Sequence, residues 1–228
     1  QTILKINRFD RMGNELKHLW IFTTEYPPQS GGGISTYCRE TVKMLHGTSF
    51  SVTVFVPDYT VEAYYKVTQE GALVCRFNPN RCSTVKTLGY EANLSYAFAE
   101  VAKIYACSHA SPDIIEIQDY LGIGYYLLQF RACLYDFYKD LNIVLLLHSP
   151  AFLYMEYNQL STYKLPNYWT GEMERFCLQA ADILISPSQY LVDKLKKFFP
   201  EFKRDVAIVQ NPYQIVNEVV LSKTDWRP

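Results

Sequence analysis

No excess of either charge marks this chain: 22 lysines and arginines stand against 23 aspartates and glutamates, a formal charge of −1. Without a basic stripe, nucleic acid is not an expected partner. The densest basic cluster, Lys194, Lys196 and Lys197, is interleaved at helical spacing with Leu191, Leu195 and Phe198. It reads as the solvated face of an amphipathic helix, and it leaves a peripheral membrane contact open. No apolar run approaches bilayer length, and no stretch has the build of a signal peptide. Cysteines are few, six in all, with no C-x-x-C pair and no His/Cys cluster of metal-site spacing. Cys107, Cys133 and Cys177 sit in apolar surroundings where the thiol serves as a small hydrophobe. The expected setting is a reducing cytoplasm. Internal repeats and low-complexity segments are also missing.

What is present suits a globular domain. Hydrophobic residues make up 49% of the 228 and charged residues 20%, enough for a substantial core. Aromatics reach 15%, with 19 Tyr and 13 Phe, a surplus that serves cores, half-buried clefts and sugar-binding surfaces alike. After a polar lead, residues 1–17, short apolar runs alternate with amphipathic stretches. Strands are expected at 18–24, 51–56, 73–77, 113–117, 142–147, 182–186 and 206–209. Helices are expected at 34–45, 94–107, 123–138, 172–181 and 188–199, the last capped by Ser188. A long aromatic stretch, 149–169, lacks a clear period. Strands without polar alternation, separated by helices, predict a Rossmann-like, doubly wound α/β domain with a mostly parallel sheet. Such sheets bind ligands beyond the carboxyl ends of their strands.

The residues that follow the strands are therefore the informative ones. After the first strand runs Glu25-Tyr26-Pro27-Pro28-Gln29-Ser30-Gly31-Gly32-Gly33-Ile34-Ser35. Three glycines before a helix let backbone N–H groups approach an anion, although a flexible turn has the same composition. The spacing fits neither the dinucleotide fingerprint nor a Walker A loop, which argues against an NAD-type oxidoreductase or an ATPase.

From here a resemblance takes hold. EYPPQSGGGISTYCRETVKML is similar to the opening loop and helix of the glycosyltransferase family 4 N-terminal domain. The likeness continues in order through SVTVFVPD, PDIIEIQDYLG, NIVLLLHSP, ERFCLQAADILISPSQYLVDKL and VAIVQNPY, spanning His18 to Tyr213. It implies the acceptor-side half of a GT-B fold over residues 18–212, with 213–228 starting a linker to a donor-binding domain not in this sequence. It also implies a retaining, metal-independent transfer from a nucleotide-sugar donor to a hydroxyl acceptor, with no other cofactor; no Asp-x-Asp motif occurs. The isolated half is expected to be inactive.

Position by position, the resemblance implies that Gly32 and Gly33 face the donor phosphates and that His148 points into the cleft near the transferred sugar. A strand-end histidine can equally be a hydrogen-bonded structural residue. Gln118 stands where relatives often carry His; it can bond sugar hydroxyls but cannot shuttle a proton. Asp119 and Tyr120 are acceptor-binding candidates, as are Tyr154 and Tyr157, whose rings could stack on a sugar or simply cover the sheet. Glu174 and Ser188 are cleft candidates. Gln118 and the aromatic stretch keep a second reading alive, a non-catalytic carbohydrate- or partner-binding module.

Overall fold

Residues 16–29, 31–82 and 89–213 are described by the structure, a computed structural model. All but the last two residues of the lead 1–17, Ser30 of the glycine loop, and all of the tail 213–228 except Tyr213 lie outside them. The order of elements is β1 (Lys17–Phe22), α1 (Gly33–Leu45), β2 (Phe50–Pro57), β3 (Tyr65–Gln69), β4 (Leu73–Phe77), α2 (Pro79–Cys82), α3 (Tyr90–Ala106), β5 (Ile114–Gln118), α4 (Tyr125–Ala132), β6 (Ile143–Leu146), α5 (Ala151–Tyr157), α6 (Asn167–Ala180), β7 (Ile183–Ser186), α7 (Gln189–Phe198) and β8 (Ala207–Ile208). The strands form one sheet in the order β3-β4-β2-β1-β5-β6-β7-β8. Every pairing is parallel except β3 with β4.

The helices divide unequally between the two faces, and strand order says why. Parallel crossovers are right-handed, so the direction in which the chain steps across the sheet selects the face its helix covers. From β1 to β2 the chain steps one way, carrying α1. From β4 to β5 and on through β6, β7 and β8 it steps the other way, carrying α3, α4, α6 and α7. Alternation along β1 matches: Trp20 and Phe22 join the large core with α3, whereas Leu19 and Ile21 join a smaller core with Cys38 and Val42 of α1. Both faces of β1 are thus apolar, which is why its sequence shows no polar alternation. Much of the aromatic surplus is spent in the large core, where Phe22 stacks on Phe98 at 5.2 Å and Trp20 meets Phe55 at 4.9 Å.

Several expected boundaries move. The edge strand β3 was not anticipated, although Tyr65, Val67 and the intervening Lys66 carry its period of two. The helix expected over 123–138 ends at Ala132, and Leu134 follows at φ 58, a conformation no helix continues through. The aromatic stretch holds α5, and α6 begins five residues before the expected 172. Ser188 does cap α7, its hydroxyl accepting from Leu191 N at 3.4 Å.

One glycine is fixed by sterics. A 3-10 turn at Tyr120–Gly122 follows β5 and presses on α6. Gly122 has φ +59, and a methyl placed on it would lie 2.7 Å from Met173 Cβ and 3.1 Å from the backbone nitrogen of Glu174. Gly122→Ala should therefore cost about 2–3 kcal/mol in urea unfolding, through strain and overpacking together. A loss below roughly 0.5 kcal/mol would show that the turn slides free of α6.

Candidate functional site

Between β1 and β5 the crossover direction reverses, and the loops that leave the two strands diverge. Here doubly wound sheets open a crevice. The loop after β1 is anchored from beyond β2 by Arg76 of β4, which is buried. Its guanidinium donates to the Pro27 carbonyl at 2.7 Å and to Gln29 Oε1 at 2.8 Å, and pairs with Glu70 at 3.0 Å. Gln29 in turn donates to Asp58 at 2.7 Å. The glycines that follow lead into α1, whose amino end has no side-chain cap. The Glu25 side chain lies against Gly32 there, at a place where the helix dipole favours negative charge.

Beneath the start of α1 lies a buried polar group. Glu116 and Gln118 alternate with apolar Ile115 and Ile117 on β5, so both project to the α1 side of the sheet, opposite the large core. The Tyr37 hydroxyl of α1 donates to Glu116 Oε2 at 3.2 Å, and Gln118 Nε2 donates to Glu116 Oε1 at 3.2 Å. The Tyr37 ring also meets the His148 ring edge-on, with centroids 4.9 Å apart. Asp119, next along, accepts the backbone N–H of His148 at 3.0 Å and of Ser149 at 3.4 Å, binding the loop after β5 to the loop after β6.

Burial sets the charge states. It pushes the carboxyls of Glu116 and Asp119 up to about 7, against the hydrogen bonds that favour their ionised forms. It pushes His148 down to about 4, so the imidazole is neutral at pH 7. An acid whose pKa rises on folding contributes its full stability below its unfolded value and loses that contribution as pH climbs to the folded value. Glu116→Gln, nearly isosteric and uncharged, should therefore gain on wild type by on the order of 2 kcal/mol as pH rises from roughly 4.5 to 7. Urea unfolding at several pH values checks this; a difference that does not change with pH would mean Glu116 does not titrate in that window.

Five buried polar atoms around this crevice have no hydrogen-bond partner among the described residues: Thr24 Oγ1, Glu25 Oε2, Gln118 Oε1, Asp119 Oδ2 and His148 Nε2. Each such atom costs the fold about 1–3 kcal/mol, and a concentration of them marks a place where stability is not the governing requirement. Among the described residues no group of three or more His, Cys, Asp and Glu side chains is arranged to hold a metal ion.

Of the residues singled out from sequence, the structure brings His148, Gln118 and Asp119 together, with Gly32 and Gly33 exposed at the head of the helix above them. Tyr120 is half-buried and begins the 3-10 turn. Glu174 lies under the crevice rather than in it. It is 1% exposed, and its carboxylate accepts from the backbone N–H groups of Leu121 (2.9 Å), Ala151 (2.7 Å) and Phe152 (3.2 Å). Tyr154 and Tyr157 are exposed on α5, and the Tyr157 hydroxyl bonds Tyr190 of α7 at 2.7 Å. Ser188 serves as a helix cap. The reading from sequence passed over Tyr37 and Glu116. A lone carboxylate inside the apolar run DIIEI was the available signal.

A mostly parallel, doubly wound sheet with polar residues gathered at the switch point defines a Rossmann-like domain. The family model for Glycosyltransferase Family 4 matches residues 31–215, and the chain belongs to that family. Among solved structures, sucrose-phosphate synthase from Thermosynechococcus elongatus superposes with a TM-score of 0.63 at 12% identity, over 85% of this chain and 48% of that one. The catalytic domain of starch synthase IV from Arabidopsis thaliana, bound to ADP and acarbose, gives 0.56 at 14% identity, over 86% and 51%. LpCGTa in complex with UDP gives 0.53 at 13% identity, over 89% and 55%. These identities speak for the fold, and the chain spans about half the length of each structure. A comparison with curated proteins finds no match. Among the described residues, no helix is long and apolar enough to cross a membrane.

Proposed function

We propose that this chain is the acceptor-side half of a retaining glycosyltransferase that moves a sugar from a nucleotide-sugar donor to a hydroxyl group on a glycan, lipid or other acceptor. The observation that carries the proposal is the convergence of His148, Gln118 and Asp119 at the switch point, with Tyr37 and Glu116 behind them. In this reading the uncapped amino end of α1, with Gly32 and Gly33, faces the donor diphosphate, where backbone N–H groups and the helix dipole favour an anion. A diphosphate seated there displaces the Glu25 carboxylate. Neutral His148 offers a hydrogen bond at the reacting sugar rather than a charge. The other wall of the cleft, with most of the groups that stabilise the leaving nucleotide, belongs to a second domain, so residues 1–228 alone are inactive. No metal enters the reaction, and the protein works in the cytoplasm.

The test is nucleotide release from a panel of nucleotide sugars, with and without simple hydroxyl acceptors, by a longer chain that carries the second domain. Release that requires both domains supports the proposal. Release by residues 1–228 alone contradicts the shared cleft. No release from any donor by a folded two-domain protein favours the rival binding module.

A further inference from the structure

We infer that Glu116 is the positioning residue of this site: its two oxygens take the Gln118 amide and the Tyr37 hydroxyl, fixing Gln118 with its carbonyl oxygen unengaged and Tyr37 against His148. Above the value near 7 to which burial raises it, Glu116 is ionised and only accepts hydrogen bonds, so the group of Gln118 that faces it must be the NH2. That contact, Nε2 to Oε1 at 3.2 Å, turns the Gln118 carbonyl away from Glu116, and Gln118 Oε1 is buried without a partner among the described residues. The other carboxylate oxygen takes the Tyr37 hydroxyl at 3.2 Å, which holds the aromatic ring edge-on to His148. One side chain thereby sets the polarity of Gln118 and the seating of His148.

The chemical consequence is selective. With one N–H of its NH2 on Glu116, Gln118 presents its carbonyl oxygen as an acceptor, as an ionised Asp119 does through Oδ2, and neither oxygen has a partner among the described residues. The group that satisfies these two oxygens is a hydrogen-bond donor, such as a hydroxyl of the sugar or acceptor. This consequence rests on the glycosyltransferase reading; the positioning role of Glu116 does not.

The test keeps the two apart by observing side chains directly in the 228-residue chain. Gln118 amide and His148 ring signals are recorded by NMR at pH 8, above the value near 7 to which burial raises Glu116. Glu116→Met fills the same volume and removes both acceptors. It should move the Gln118 Nε2–H signals, speed their exchange with solvent about tenfold, and shift the His148 ring. Glu116→Gln, which keeps one accepting oxygen, should restore part of the protection. Tyr37→Phe should shift His148 while leaving the Gln118 amide protected. Native Gln118 and His148 signals in a folded Glu116→Met protein would overturn the inference, whatever the transfer assay shows. So would a wild-type Gln118 amide that exchanges as fast as an exposed glutamine.

Discussion

Glu174→Ala is expected to destabilise the domain by about 3–5 kcal/mol, lowering its melting temperature by roughly 10 °C. The carboxylate is buried and serves three backbone donors on two loops that are far apart in sequence. Two of them, Ala151 and Phe152, are the first N–H groups of α5, whose preceding residue Pro150 offers no side-chain cap. Glu174 of α6 caps that helix from outside while also holding the 3-10 turn after β5. Truncation to alanine leaves three donors unsatisfied and opens a cavity in the same stroke. Glu174→Gln retains an accepting oxygen but turns an NH2 toward other donors, so it should fall between wild type and alanine. Thermal and urea unfolding measure both; a loss below about 1 kcal/mol for alanine would mean the two loops hold their places without the carboxylate.

His148→Ala, in the two-domain enzyme proposed above, should lower turnover by about a hundredfold or more with little change in fold stability. The imidazole is neutral because burial lowers its pKa to about 4, and its backbone N–H, rather than its ring, makes the bond to Asp119. Removing the ring therefore spares the loop tie and deletes only what the ring supplies. The same lowered pKa fixes the shape of the pH profile. An acid limb near 6.5, the usual histidine range, should be missing, and a limb near 7 would report Asp119 or Glu116. Steady-state nucleotide release from pH 5 to 9 separates these cases. A single limb at 6.5 that vanishes in the variant would show that His148 is solvated and titrates normally.

The parallel sheet was legible because strands buried on both faces print as unbroken apolar runs such as the IVLLL of NIVLLL, and the helices between them keep their period. Strand β3 escaped because Tyr65–Gln69 is a short, half-exposed edge with only two apolar positions, Tyr65 and Val67. Helix α5 was hidden by the aromatic residues that crowd its sequence, which carry no strong helical preference of their own. At the candidate site, the family resemblance pointed to Gln118, Asp119 and His148, which lie at the ends of β5 and β6 and in the loops that follow. The same logic could not find Tyr37, since a tyrosine on the apolar stripe Ile34, Cys38, Val42 resembles core until its hydroxyl is seen on Glu116. Nor could it assign Glu174, whose three partners are backbone groups contributed by loops 22 to 53 residues away. No side-chain pattern announces a bond to a main chain that has yet to fold around it.

The unequal covering of the two faces bears on how the domain breathes. α3 buries Leu94, Phe98, Val101 and Tyr105 in the large core, whereas the buried positions of α1 are Ser35, Cys38, Glu40, Thr41 and Val42, mostly polar or small. Detaching α1 thus forfeits far less apolar contact than detaching α3, so α1 should lift from the sheet more readily than α3 does. Amide exchange along α1 should accordingly outpace that along α3. The excursion is also a chemical one, because α1 carries Tyr37 and starts from the glycine loop. A molecule that bridges this loop and the strand ends would clamp the helix down, and part of its binding energy would be spent quieting that motion.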